Sequence, residues 1–318
     1  MHYLITGGAG FIGSHLADAL AGSHDITILD DLSSGNLPNI RHLLESERCT
    51  FVEGTFTDED LVLSLCEGID GIFHLGALTS VQQSVEEPRR AHEVNIGGTL
   101  NLLMAAREQG VRKLVFASTA ALYGNNPAFP KTEAMLPEPP SPYAVSKLTG
   151  EYYCRIFSDL YGVKSACLRF FNVFGPRQDP HSDYAAVIPI FITRLLEGRP
   201  LTIYGDGEQT RDFIFVRDVV AANIRAMEGD AEGVFNIARG ERTSLNDLAS
   251  MLADIAGSRA EIVYEAPRSG DVRHSMADVT KARDLLGFSP AHSIRDGLEE
   301  TVAWFEASRR PGREAPAV

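Results

Sequence analysis

The sequence predicts an α/β protein: a doubly wound parallel sheet covered by helices on both faces, with a smaller α/β domain toward the C-terminus. Two observations carry this. Short apolar runs alternate with longer amphipathic stretches, and a glycine-rich turn sits directly behind the first run. Strands are expected at 3–6, 26–29, 50–53, 71–74, 113–117, 165–170 and 233–237. Each is too short for a helix and is apolar along its length, as strands buried on both faces are. Helices are expected between them at 12–21, 58–66, 91–109, 143–161 and 218–227, where apolar residues recur at helical spacing. Strand and helix repeated in this order predict βαβ units. Residues from about 173 to 209, and again beyond about 240, read as helices mixed with short strands. The stretch NNPAFPKTEAMLPEPPSP holds six prolines and reads as a long surface loop.

Composition narrows the function class. The 318 residues are 44% hydrophobic and 23% charged, which describes an ordinary globular chain with a large core. The formal net charge of −14 argues against a general nucleic-acid surface and leaves room for a local basic pocket. Cys49, Cys66, Cys154 and Cys167 are scattered without a CxxC pair, which speaks against a zinc site or a disulfide framework and for a reducing compartment. No apolar run approaches the length of a membrane span. The opening MHYLITGG enters a strand with no signal-peptide pattern, so a cytoplasmic location is expected.

The glycine turn is specific in its context. In YLITGGAGFIGSHLADAL, Gly7, Gly10 and Gly13 follow the first strand and a helix opens at Phe11 or Ile12. Glycines there permit a tight turn, close approach of a pyrophosphate and close helix–strand packing. The helix N-terminus offers free N–H groups and a favourable dipole. The second strand ends at Asp30, about 20 residues on, where an acidic group accepts bonds from ribose hydroxyls and repels a 2′-phosphate. Asp31 doubles the charge. This is a Rossmann-type site for NAD rather than NADP.

A second pattern carries chemistry. In SPYAVSK, Ser141 suits a helix N-cap and Pro142 the first helical position. Tyr143 and Lys147 are then an (i, i+4) pair on one helix face. An ammonium beside a phenol favours the phenolate, so a tyrosine with an ordinary pKa of about 10 is expected to accept protons nearer neutral pH.

Together, TGGAGFIG, HLGALTSV, ASTAALYG, SPYAVSK and RFFNVFGPRQDP resemble the extended short-chain dehydrogenase/reductases, in wording nearest the UDP-hexose 4-epimerases. YAAVIP, GERTSLNDL and RSGDVRHSMAD are similar to the branch acting on UDP-N-acetylglucosamine. The resemblance runs to about residue 290. It implies that Tyr143 takes the proton of the sugar 4-hydroxyl while hydride passes to NAD. Lys147 then holds the phenolate and the nicotinamide ribose, Thr119 bonds the 4-oxygen and Ser118 assists it. The 4-keto intermediate turns over and hydride returns to its other face, so NAD stays bound. Ala120 and Ala121 stand where related dehydratases and decarboxylases carry acids, which removes support for those reactions.

The resemblance also implies the remaining contacts. Phe56 and Leu75 join the cofactor site. Thr55 stands where many relatives have the adenine-binding aspartate, so that contact is weakened. His74, ending a buried strand, reads as a satisfied core histidine. Asn172, Arg211 and Arg268 grip the diphosphate, the arginines through their planar forks. Val187, Leu201 and Tyr204 lie near the uracil, and Thr79 near the sugar. Ser275 faces the C2 substituent, where a small residue admits an acetamido group.

The expected domains are 1–172 with about 210–238 for NAD, and about 173–209 with 239–308 for the UDP-sugar; 309–318 is expected to fray. A homodimer through a four-helix bundle of 91–109 and 143–161 is implied. Strict specificity for UDP-glucose, action on UDP-glucuronate and a non-catalytic dinucleotide sensor are the alternatives.

Overall fold

The structure is a computed structural model that describes residues 1–180, 186–267 and 272–309. Its strands are β1 (His2–Thr6), β2 (Asp25–Asp30), β3 (Cys49–Glu53), β4 (Gly71–His74), β5 (Lys113–Thr119), β6 (Lys164–Phe170) and β7 (Asn172–Phe174). They continue with β8 (Leu201–Tyr204), β9 (Thr210–Arg211), β10 (Phe213–Phe215), β11 (Gly233–Ile237), β12 (Thr243–Ser244) and β13 (Ile262–Glu265). The helices are α1 (Phe11–Ala21), α2 (Glu59–Leu65), α3 (Val81–Glu86), α4 (Pro88–His92), α5 (Gly98–Gln109) and α6 (Pro142–Tyr161). Then come α7 (Val187–Leu196), α8 (Val216–Glu228), α9 (Leu245–Ile255), α10 (Thr280–Leu286) and α11 (Ile294–Ser308).

The seven expected strands form one parallel sheet in the order β11-β6-β5-β4-β1-β2-β3. The order reverses between β1 and β4, and the crevice beyond their carboxyl ends is where such sheets hold ligands. Gly71, Ile72, Phe73 and His74 of β4 are all buried, as a central strand covered on both faces requires. One core, around Ile5, Ile28, Phe73 and Val115, lies on one side of the sheet. A second, around Leu4, Ile72, Leu114 and Phe116, lies on the other. The alternation of these residues along β1, β4 and β5 is the pleat itself.

The C-terminal part has its own core around Phe174, Phe191, Leu201, Ile203, Leu248 and Phe305. Its strands pair two by two: β7 with β10 and β8 with β13 in parallel, β9 with β12 antiparallel. Strand β10 lies between two cores, with Phe213 and Phe215 facing this one and Ile214 the sheet core. Among the described residues, no helix is long and apolar enough to cross a membrane.

The helix expected at 91–109 is interrupted. Helix α4 ends at His92, a π-helical turn spans Glu93–Gly97, and α5 starts at Gly98. The turn aims the buried side chain of Asn95 at the backbone of Leu78. That tertiary partner leaves no mark on helical periodicity.

Candidate active site

The cofactor cradle is built by close contact. Gly7 has a φ of 69°, and a Cβ there would lie 2.7 Å from the Cα of Gly76. A Cβ on Gly13 would lie 2.1 Å from the Gly7 carbonyl oxygen. Only glycine fits either position. Gly10 is the N-cap of helix α1, and no side chain among the described residues caps it, so the first-turn N–H groups at Phe11 and Ile12 are left to a ligand or solvent. Asp30 is buried; its Oδ2 accepts from Ala9 N–H at 2.9 Å and its Oδ1 from Leu32 N–H at 2.9 Å. Burial raises its carboxyl pKa, and these two bonds oppose the rise. Asp31 is exposed, with Oδ1 accepting from Ser33 Oγ at 2.6 Å. An uncapped helix start beside two carboxylates has the chemistry that suits a dinucleotide with free ribose hydroxyls.

Phe56 packs edge-on against His74 at 5.1 Å, and Leu75 N–H donates to the Thr6 carbonyl at 3.2 Å. The Thr55 hydroxyl is engaged in its own turn, 2.9 Å from Thr57 Oγ1 and accepting Thr57 N–H at 3.2 Å. It is therefore a poorer adenine partner than a hydroxyl free to rotate. His74 is the satisfied core residue expected. Thr99 gives its proton to the Asn95 carbonyl, so His74 Nε2–H donates to Thr99 at 2.9 Å and Nδ1 accepts from Thr6 at 2.7 Å. Burial holds this imidazole neutral, well below its ordinary pKa.

Ser141 caps α6, accepting Ala144 N–H at 3.2 Å, and Pro142 opens the helix as expected. Thr119, the last residue of β5, stands beside the Tyr143 phenol, whose pKa its side chain helps to lower, and accepts Ala121 N–H at 3.1 Å. Lys147, one turn along, is buried, and its Nζ donates to the Ala117 carbonyl at 2.9 Å. Tyr143, Thr119 and Lys147 thus meet at the carboxyl end of the sheet.

The electrostatics differ from the expectation drawn from spacing. Burial raises the Tyr143 phenol pKa, and the Thr119 bond only opposes this. Burial also lowers the Lys147 ammonium to about 8. Both shifts run toward the neutral form, the phenol staying protonated while Lys147, at about 8, remains largely an ammonium at neutral pH. Desolvation is the largest cause at both groups, and spacing along a helix cannot register it.

Ser118 is buried, and its hydroxyl proton is already committed to Glu151 Oε1 at 2.6 Å. Glu151 is paired twice with Arg169, Nε to Oε1 at 2.8 Å and Nη2 to Oε2 at 2.7 Å, both side chains being 3% exposed. Asn95 was not singled out from sequence. It accepts Leu78 N–H at 2.8 Å and donates to the Leu78 carbonyl at 3.1 Å and to Ser146 at 3.0 Å. Ser146 in turn donates to the Tyr143 carbonyl at 2.7 Å, so Asn95 joins the loop after β4 to the helix that carries Tyr143. Its burial, which the sequence does not show, sets it apart from Asn101 in the same stretch.

On the substrate side, Tyr204 lines a cavity of about 630 Å³ with Gln209, Pro267 and Val272. Asn172 donates N–H and Nδ2–H to the Asp212 carbonyl, both at 3.1 Å. Arg211 Nη1 donates to Thr210 O at 3.0 Å, and Ser275 N–H donates to the same carbonyl at 3.1 Å. Val187 opens α7, half-buried, and Thr79 is exposed just before α3. Leu201 is completely buried in the third core, facing inward with Ile203 while Thr202 and Tyr204 face out. Its side chain therefore belongs to packing rather than to a uracil pocket. Arg268 lies outside the described residues.

Residues 3–238 match the model of the NAD dependent epimerase/dehydratase family. The chain is 43% identical to a UDP-glucose 4-epimerase of Mycolicibacterium smegmatis over 96% of this chain and 98% of the other. It is similar to the structure of a UDP-N-acetylglucosamine 4-epimerase from Methanobrevibacter ruminantium, solved with UDP-N-acetylmuramic acid: TM-score 0.94, 42% identity, covering 96% of this chain and 98% of that one. It is also similar to a UDP-glucose 4-epimerase from Thermus thermophilus in complex with NAD: TM-score 0.88, 37% identity, covering 97% and 100%. With the glycine cradle, Asp30 and the Thr119–Tyr143–Lys147 cluster in place, this chain belongs to the NAD dependent epimerase/dehydratase family of extended short-chain dehydrogenases/reductases.

Proposed function

We propose that the chain is a UDP-sugar 4-epimerase that keeps its NAD through each turnover. The observation that carries this is the convergence of Thr119, Tyr143 and the buried Lys147 at the carboxyl end of β5, across the sheet's switch point from the glycine cradle. When bound, NAD supplies the hydride acceptor for sugar C4 and a positive charge beside the phenol. Tyr143 takes the proton of the 4-hydroxyl and returns it to the opposite epimer. Thr119 holds that oxygen in place. Lys147, at the inner end of the site, stabilises the phenolate together with that positive charge. Ala120 and Ala121 offer no acid or base for elimination or decarboxylation.

The substrates are N-acetylated and non-acetylated UDP-hexoses. Ser275 supports this: it is small, half-buried and tied by its backbone beside Arg211. A homodimer is supported by Val145, Tyr152, Ile156 and Leu160, apolar and 41–69% exposed on α6, with Met104 exposed on α5. Two such faces form a four-helix bundle. The test is incubation of the purified protein with UDP-galactose or UDP-N-acetylgalactosamine and no added NAD. The gluco epimers appear if the reading holds. Absence of conversion of every UDP-hexose by protein that carries NAD refutes it.

A further inference from the structure

Asp212 lies directly behind Arg211 and is completely buried. Its carboxylate accepts three backbone N–H groups: Arg239 on Oδ1 at 2.9 Å, and Gly240 at 3.0 Å and Ala277 at 3.1 Å on Oδ2. Its carbonyl accepts both the N–H and the Nδ2–H of Asn172 at 3.1 Å. One residue therefore holds the start of β7, the loop after β11 and the segment approaching α10.

Thr210, on the other side of Arg211, holds the same last segment. Thr210 N–H donates to the Arg273 carbonyl at 3.0 Å, Ser275 N–H donates to the Thr210 carbonyl at 3.1 Å, and the Thr210 hydroxyl meets His274 Nδ1 at 3.0 Å. Arg211 is thus fixed between two anchors, its immediate neighbours in the chain. Asn172 and Ser275, placed with Arg211 at the diphosphate and the sugar, hang from the same two anchors. Burial raises the Asp212 carboxyl to about 6, opposed by its three backbone bonds, so it is ionised and accepting at neutral pH.

We propose that Asp212 is a positioning residue for nucleotide-sugar binding, setting Asn172, Arg211 and the 272–277 segment as one unit. This rests on the UDP-sugar reading above. Among the described residues, Asp212 shares no hydrogen bond with Gly7, Gly13, Asp30 or Lys147, so its effect falls on the nucleotide sugar and spares the cofactor. Asp212→Asn keeps the volume and puts an NH2 group where one carboxylate oxygen accepts an N–H. Losing one such bond to the grip weakens binding about tenfold.

The experiment is calorimetry with UDP on NAD-loaded wild type and Asp212→Asn, with kcat, KM and NAD content measured alongside. The expected result is a Kd for UDP and a KM for UDP-glucose raised about tenfold or more, with NAD content and kcat within about twofold. A merely structural role lowers the melting temperature and leaves Kd unchanged; that result overturns the proposal while the function stands. Wild type that fails to bind UDP overturns both. If the variant does not fold, amide exchange on wild type decides. UDP slows exchange at Arg239, Gly240 and Ala277 more than at Leu61, whose N–H caps α2 on Asp58 away from this unit. Equal slowing at all four refutes the proposal.

Discussion

Glu151→Gln makes the most demanding test of how the reacting strand is held. Glu151 and Arg169 are each 3% exposed and joined by bonds of 2.7 and 2.8 Å, and Ser118 leans on the same carboxylate. Glutamine keeps the shape, removes the charge and turns an amide toward the guanidinium. Arg169 then remains charged and buried beside the Tyr123 ring, 4.9 Å away. Breaking one side of a buried pair costs about 3–5 kcal/mol. That is a large share of a total stability of about 5–15 kcal/mol. The pair Arg295–Asp254 is a control, with a shorter contact of 2.6 Å but side chains 48% and 67% exposed. Arg295→Ala should leave the midpoint unmoved, because burial and not distance sets the cost. Urea unfolding followed by fluorescence compares both variants with wild type. A Glu151→Gln midpoint that coincides with wild type would show that Arg169 finds other compensation and that the pair does not hold Ser118.

Three further outcomes are expected. Tyr143→Phe removes the proton carrier alone, so turnover falls at least about 100-fold while NAD stays bound; turnover within tenfold of wild type excludes the assigned role. Ser275→Tyr fills volume that only the acetamido group needs, so kcat/KM for UDP-N-acetylglucosamine falls far more than for UDP-glucose; an unchanged ratio removes Ser275 as the gatekeeper. Lys147 has its pKa lowered from 10.5 to about 8 in the fold, so between these values the unfolded chain binds the extra proton. Its burial is thus most costly below pH 8 and is relieved as pH rises toward 10.5. In cofactor-free protein, wild type should gain stability relative to Lys147→Met between pH 7 and pH 9.5, and a difference independent of pH contradicts the reading.

The sheet was legible because its strands are buried on both faces, which writes continuous apolar runs into 71–74 and 113–117. The cap of α6 was legible because Ser141 and Pro142 act within one turn. Other features depend on partners distant in sequence. The π-helical turn serves Asn95, whose partners Leu78 and Ser146 lie 17 and 51 residues away. The Ser118 proton is engaged by Glu151, 33 residues on. The charge states of Tyr143 and Lys147 depend on desolvation, which the (i, i+4) spacing leaves unstated. Leu201 is a different case. The alternation in LTIY already placed Leu201 and Ile203 on one face, and read by period two it points to the core.

The central claim is that hydride leaves and returns to C4 while Tyr143 moves only the hydroxyl proton. It is tested most directly with UDP-glucose deuterated at C4, incubated in ordinary water without added NAD and followed by NMR. The account predicts UDP-galactose with the deuterium still at C4. Replacement of the label by solvent hydrogen in the product would contradict it.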